Sequence, residues 1–303
     1  MKSEGGRLNV VTGAFGFSGK YIAERLLAMG ERVRTLTNHP RGDAAIESAP
    51  LDFRNPQELA QSMAGTTVLY NTYWVRFAYG GVDHERAVEN TRVLIRAAEE
   101  AGVKRIVHIS VTNPSSDSPL PYFKGKAEVE DAIRSSSLSY AILRPAVVFG
   151  REDILINNIA WLLCRFPVFT IPGKGNYSLQ PIYVEDLAEL AVTASHKQEN
   201  VVMDAIGPET YQYEDLVRLI RRTIGSRSWI IHVPPSMVSL ASVFLGWLVH
   251  DVVLTKDEVS GLMANLLVSN QPPTGQTSLQ AWLRENAQSL GARYASELVR
   301  HYG

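Results

Sequence analysis

The chain has 303 residues, 45% of them hydrophobic and 20% charged, with a formal net charge of −1. That is an ordinary globular balance, long enough for one large domain or two smaller ones, and it excludes a bulk electrostatic case for nucleic acid or an anionic membrane. The single cysteine, Cys164 in the apolar "WLLCRF", excludes an internal disulfide and a cysteine metal site, and reads as a buried core thiol in a reducing, cytoplasmic setting.

"MKSEGGR" leads directly into a strand pattern, so no secretory leader is expected. Leu8 to Thr12, "LNVVT", is the first strand, closed by Gly13. A helix follows with Ile22, Leu26 and Leu27 on one face and Gly30 as its stop. "RVRTLT" from Arg32 reads as the second strand, "APLDF" from Ala49 as the third and "TVLYNT" from Thr67 as the fourth. Residues Glu85 to Ala101 carry Val88, Val93, Leu94, Ala97 and Ala98 in helical period. "RIVHIS" from Arg105 is the fifth strand, Lys124 to Arg134 is helical, and "YAILRP" from Tyr140 is the sixth strand. Such alternation predicts an α/β fold, a Rossmann-type doubly wound parallel sheet with its ligand crevice at the carboxyl ends of the strands.

The expected division is 1–150 for a nucleotide-binding domain and 151–303 for a smaller, mostly helical substrate lobe, with about 179–206 returning to the first domain. In that lobe Thr255 with Glu258, and Thr277 with Gln280, have capping-box spacing. Met237 to Leu254 is strongly apolar but contains His250 and Asp251, so it reads as a buried or surface-docked helix and not as a transmembrane segment. Peripheral membrane contact and homo-oligomer contact stay open for it.

"VTGAFGFSG" sets Gly13, Gly16 and Gly19 at three-residue intervals between a strand and a helix. Gly13 permits the tight turn, Gly16 the approach of a pyrophosphate, and Gly19 the close packing of helix on strand, while the helix N-terminus offers N–H groups to phosphates. Phe15 and Phe17 belong to the same cofactor loop. The pattern, with Thr12 before it, resembles the TGxxGxxG loop of the short-chain dehydrogenase/reductase superfamily, in its extended and atypical branches. An acidic residue usually ends the second strand of an NAD site, but here Asn38, His39 and Arg41 stand there, which favours NADP(H) over NAD(H). A solvated loop charge remains the other reading of Arg41. The resemblance places Asp52 and Phe53 on the adenine, and Pro145 and Val148 of "LRPAVVFG" beside the nicotinamide.

Tyr122 and Lys126 in "YFKGKAEVE" lie one helical turn apart. An ammonium there lowers a phenol's pKa and makes it an acid/base near neutral pH. The motif resembles the superfamily's YxxxK pair, which implies Tyr122 as acid/base and Lys126 as activator. The family's small polar pair at the end of the fifth strand departs here: Ser110 fills the first place but Val111 the second, leaving Thr112 or Ser110 to orient a substrate. After the fourth strand the family's small run is replaced by Asn71, Thr72, Tyr73 and Trp74, read as cofactor-side residues with Trp74 facing an apolar or planar small-molecule substrate, or as core packing. The short loop before Tyr122 is most similar to the atypical branch, which holds epimerase/dehydratase-like proteins and the dehydrogenase-like accessory subunit of respiratory complex I. Two functions follow from the resemblance: an NADP(H)-dependent oxidoreductase or epimerase-like enzyme, and a non-catalytic NADP(H)-binding sensor, assembly factor or accessory subunit.

Overall fold

The computed structural model describes residues 6–40, 42–252 and 254–298; Arg41 lies outside the described residues. The elements run β1 (Leu8–Thr12), α1 (Phe17–Ala28), β2 (Arg32–Leu36), β3 (Ile46–Ala49), α2 (Pro56–Ser62), β4 (Val68–Asn71), α3 (His84–Glu100), β5 (Arg105–Ile109), α4 (Pro121–Arg134) and β6 (Ser139–Pro145). They continue with β7 (Val147–Phe149), α5 (Leu155–Arg165), β8 (Val168–Pro172), β9 (Ser178–Leu179), β10 (Pro181–Tyr183), α6 (Val184–Ser195), β11 (Val201–Ala205), β12 (Tyr211–Gln212) and α7 (Tyr213–Thr223). The last are β13 (Trp229–Val233), α8 (Pro235–Val249), α9 (Lys256–Met263) and α10 (Leu279–Asn286). Two compact units result: one up to Pro145 together with Glu185–Asp204, the other Ala146–Val184 together with Ala205 onward.

In the first unit seven strands form one sheet in the order β11-β6-β5-β4-β1-β2-β3. β1 to β6 pair in parallel, with β1 between β2 and β4, so the strand order reverses at β1. All five residues of β1 are buried, as expected of a strand covered on both faces. One face packs Val10, Leu69, Ile106 and Ile142 against Leu59 of α2, Val88 and Leu94 of α3 and Val129 and Ile133 of α4. α1 is joined to α6 by the exposed Arg25–Glu189 ion pair at 2.9 Å.

The third strand is displaced from its expected place. β3 ends at Ala49, because Pro50 has no N–H to continue the ladder, and Asp52 and Phe53 fall in the turn beyond it. The strand ends therefore present these two residues on a loop rather than on an edge.

The second unit holds more β-structure than its sequence signals. β7 pairs with β10 and β8 with β13 in parallel, and β9 with β12 in antiparallel. Each strand has two to five residues, too short for a period-2 pattern to stand out from a buried turn. Its core joins Phe149, Phe169 and Ile171 to Ile159 and Leu163 of α5, Leu216 and Ile220 of α7, and Trp282 and Leu283 of α10. Cys164 is exposed, contrary to expectation. The buried face of α5 is Ile156, Ile159, Ala160 and Leu163, and position 164 is turned about a quarter-turn off its centre. The Thr255 capping box forms as read, its hydroxyl accepting from Glu258 N–H. For α10 the cap is Ser278, one residue later than Thr277, because its hydroxyl both accepts from Ala281 N–H and donates to Glu209.

Candidate cofactor and proton-transfer site

The glycine loop has the geometry that a pyrophosphate needs. Gly13 takes φ +68°, and Gly16 N–H donates to its carbonyl at 2.8 Å. A Cβ on Gly19 would sit 2.2 Å from the Gly13 oxygen, so only glycine lets α1 lie this close to the turn. Gly16 caps α1 without a side chain, and its first turn carries no carboxylate to repel an anion. Phe15 and Phe17 flank Gly16, both half-buried, and Phe17 packs edge-on to Tyr21 at 6.1 Å. Thr35 of β2 braces the loop, donating to Val11 O and accepting from Ala14 N–H.

Asn38 and His39 follow β2 on the surface; the His39 N–H donates to Thr37 Oγ1 at 3.0 Å. Asp52 accepts from Arg54 backbone and side chain, and these bonds hold its carboxyl below the usual range. Phe53 packs on the Tyr73 ring at 4.9 Å, and the Tyr73 hydroxyl accepts from Asn90 at 2.8 Å, so the loops after β3 and β4 meet.

Asn71 and Thr72 belong to the strand-end lattice. Thr12 Oγ1 accepts from the Thr72 and Tyr73 N–H groups and lies 3.3 Å from Asn71 Oδ1, and Thr72 donates back to Thr12 O. Asn71 Nδ2 is 3.1 Å from Nδ1 of the fully buried His108. Burial, and then the neighbouring Lys126 charge, push His108 well below its ordinary range, so it is neutral at physiological pH. His108 was not a candidate from sequence, since "RIVHIS" reads as strand alone.

Tyr122 sits in the first turn of α4, behind Pro121, and is half-buried among rings. Trp74 and His84 meet it edge-on at 5.9 and 5.7 Å, and stack on each other at 5.9 Å. Lys126 is only 3% exposed; its Nζ donates to Ile109 O at 2.8 Å and lies 4.6 Å from the Trp74 ring centre. Burial brings the amine down to about 7, with Glu130 opposing the drop. Trp74 therefore packs on α4: a Cβ on Gly125 would touch it at 2.9 Å, and Val88 lies alongside. The core-packing reading of Trp74 thus describes its contacts.

The hydroxyls at the end of β5 divide. Ser110 donates to Glu130 at 2.6 Å, and Glu130, buried, also accepts from Arg144 at 2.6 Å and Arg134 at 2.8 Å. Ser110 is therefore committed to an ion cluster and not to an open site. Val111 and Thr112 are both buried, with the Thr112 N–H on the carbonyl of Pro145 at the end of β6. Val148 lies in β7 of the second unit, paired with Ile182. Glu130 was missed as a functional organiser, although "KAEVE" places it one turn beyond Lys126.

Residues 13–153 match the family described as NAD(P)H-binding. That match runs from the glycine loop past the Tyr122 and Lys126 pair and through β6 and β7. The chain is 25% identical over 89% of its length to NADH dehydrogenase [ubiquinone] 1 alpha subcomplex subunit 9 of Arabidopsis thaliana, covering 74% of that protein. It is 25% identical to the photosystem II assembly factor Ycf39 of Cyanidium caldarium, over 78% of each chain. Among solved structures it is similar to an NADPH-dependent quinone oxidoreductase from Escherichia coli complexed with NADPH, with TM-score 0.74 and 20% identity over 93% of this chain and 99% of that one. That last likeness is one of fold.

Proposed function

We propose that this chain is an NADP(H)-binding protein whose bound nucleotide serves as a structural or sensing element of a larger assembly. Gly13, Gly16 and Gly19 with the N-terminus of α1 would hold the pyrophosphate, Asn38 and His39 the 2′-phosphate side, and Asp52 and Phe53 the adenine. When bound, the nucleotide supplies a hydride donor or acceptor. The observation that carries the non-catalytic reading is the state of the proton-transfer groups: Lys126 is sealed beneath Trp74 on a backbone carbonyl, Ser110 is held by Glu130, and Val111 fills the place of the family hydroxyl. Relatives that are a respiratory subunit and an assembly factor support it.

The second reading keeps the enzyme, with Tyr122 as acid/base, Lys126 as activator and Thr112 orienting a small-molecule substrate. It is favoured by Tyr122 standing at the start of α4, after β5, with its ring set edge-on to Trp74 and His84. Two measurements decide. NADPH at a hundred times its Kd is expected to stabilise the fold by about 2.7 kcal/mol, with NADH far less effective; equal stabilisation removes the NADP preference. Oxidation of NADPH across a carbonyl and quinone panel is expected to be equal for wild type and Tyr122→Phe. A substrate whose turnover falls a hundredfold or more in Tyr122→Phe establishes the enzyme instead.

A further inference from the structure

The second unit carries a face that neither the glycine loop nor the dyad uses. In β13, Ile230 packs toward the core while Trp229 and Ile231 point away from it, 75% and 43% exposed. Trp229 pairs in register with Val168 of β8, also exposed, so these three side chains share one side of the β8–β13 ribbon. α8 packs on β8, and along it Met237 is 56% and Trp247 76% exposed. Its sequence, "PSMVSLASVFLGWLV", contains no charged residue. One exposed apolar side chain is ordinary, but Trp229, Ile231 and Val168 together on one side of a ribbon mark a contact surface.

Basic residues outnumber acidic ones around this face, with Glu214 set against His232 of β13. Residues 216–250 contain Arg218, Arg221, Arg222 and Arg227 and no Asp or Glu, in a chain whose net charge is −1. Arg218 is taken up by Glu214, whereas Arg222 and Arg227 are exposed. Ser226 donates to Leu163 O and the Trp229 N–H to Pro167 O, which holds the backbone on both sides of Arg227, two residues before Trp229. Whole-chain charge conceals this local excess.

We propose that this face docks on an anionic lipid surface. Tryptophan rings settle at headgroup depth, and flanking guanidiniums meet lipid phosphates. Among the described residues no helix is long and apolar enough to cross a membrane, so α8 would lie at the surface. A protein partner is usually selected by charges of both signs in register, and here the acidic Glu214 is already taken up by Arg218 and His232.

The test is co-sedimentation of the full chain with vesicles of phosphatidylcholine alone and of phosphatidylcholine with phosphatidylglycerol. Expected is binding to the anionic vesicles at least roughly tenfold tighter than to neutral ones, falling as salt is raised. Trp229→Ser with Ile231→Ser is expected to weaken binding to both kinds of vesicle about tenfold or more, and Arg222→Gln with Arg227→Gln to remove the preference for anionic lipid. Both variants should keep the wild-type melting temperature, since these side chains are exposed. Absence of pelleting with anionic vesicles, equal binding to both lipids, or wild-type binding by a correctly melting Trp229/Ile231 variant overturns the proposal, and the first of these points to a protein partner. None of these outcomes touches the nucleotide reading, which the NADPH shift tests separately.

Discussion

Replacing Lys126 with methionine is expected to change stability with a sign that depends on pH. The amine is buried under Trp74, and its pKa falls from 10.5 to about 7 because burial disfavours the ammonium. Between those values the unfolded chain binds a proton that the folded chain does not, so this group's contribution to stability rises with pH across that window. Below about pH 7 the full penalty is present. A drop from 10.5 to about 7, at roughly 1.36 kcal/mol per pH unit, is a penalty of roughly 5 kcal/mol. Methionine has similar length and no charge, but it leaves the Ile109 carbonyl without its donor, at about 1 kcal/mol. Lys126→Met should therefore be about 4 kcal/mol more stable than wild type near pH 7 and about 1 kcal/mol less stable near pH 10.5. Urea unfolding of both proteins at several pH values gives the difference directly, and groups common to both cancel. Measurements at pH 7 and above avoid His108, whose own protonation would add a penalty of the same sign at lower pH. A difference that does not vary with pH, or a variant less stable at pH 7, would show that the ammonium is solvated or paired and would refute the argument.

Gly19→Ala places a methyl group 2.2 Å from the Gly13 oxygen; the expected result is a loss of at least about 2 kcal/mol and of nucleotide binding, seen as a lower melting temperature that NADPH no longer raises. Glu130→Gln leaves Arg144, Arg134 and Ser110 around a neutral amide in a buried position, at an expected 3–5 kcal/mol, roughly, in denaturant unfolding; a loss below about 1 kcal/mol would mean the cluster is not a structural element. Asn38→Asp restores the acid usual at the end of the second strand and should bring the NADH-induced melting shift up to or above that of NADPH; unchanged shifts would place the ribose elsewhere.

The first unit was legible in the sequence because its signals are redundant. β1, β4, β5 and β6 are each a short, largely apolar run, β2 sets Val33 and Leu36 among polar residues, and α3 buries one helical face from Ala87 and Val88 through Thr91, Leu94 and Ile95 to Ala98. Buried parallel strands and amphipathic helices alternate, and that alternation allows few arrangements. Where one signal stood alone, the reading slipped. The apolar "APLDF" suggested a strand, and Pro50 stopped it four residues early. In the second unit, the two-residue strands β9 and β12 are held by tertiary pairing with no sequence period to betray them.

The site shows a different limit. Sequence spacing puts Tyr122 and Lys126 on one helix face, which is correct, and it predicts chemistry from that alone. What an amine at that position does depends on what covers it, and the cover comes from a residue far away in the chain. Trp74 follows β4, and Gly125 is small enough to let the indole settle onto α4 beside Lys126; neither fact follows from the YxxxK pattern. The same holds for Ser110, whose hydroxyl is claimed by Glu130 only because Arg134 and Arg144 hold that carboxylate in place. A motif therefore reports which groups a fold brings together, whereas their protonation and reach are set by packing. Gly125 is the simplest place to separate the two: Gly125→Ala would push the indole off α4 without touching the dyad, and solvent would then reach Lys126. If the seal is what lowers the amine, a Lys126→Met substitution in that background should lose most of its pH-dependent gain.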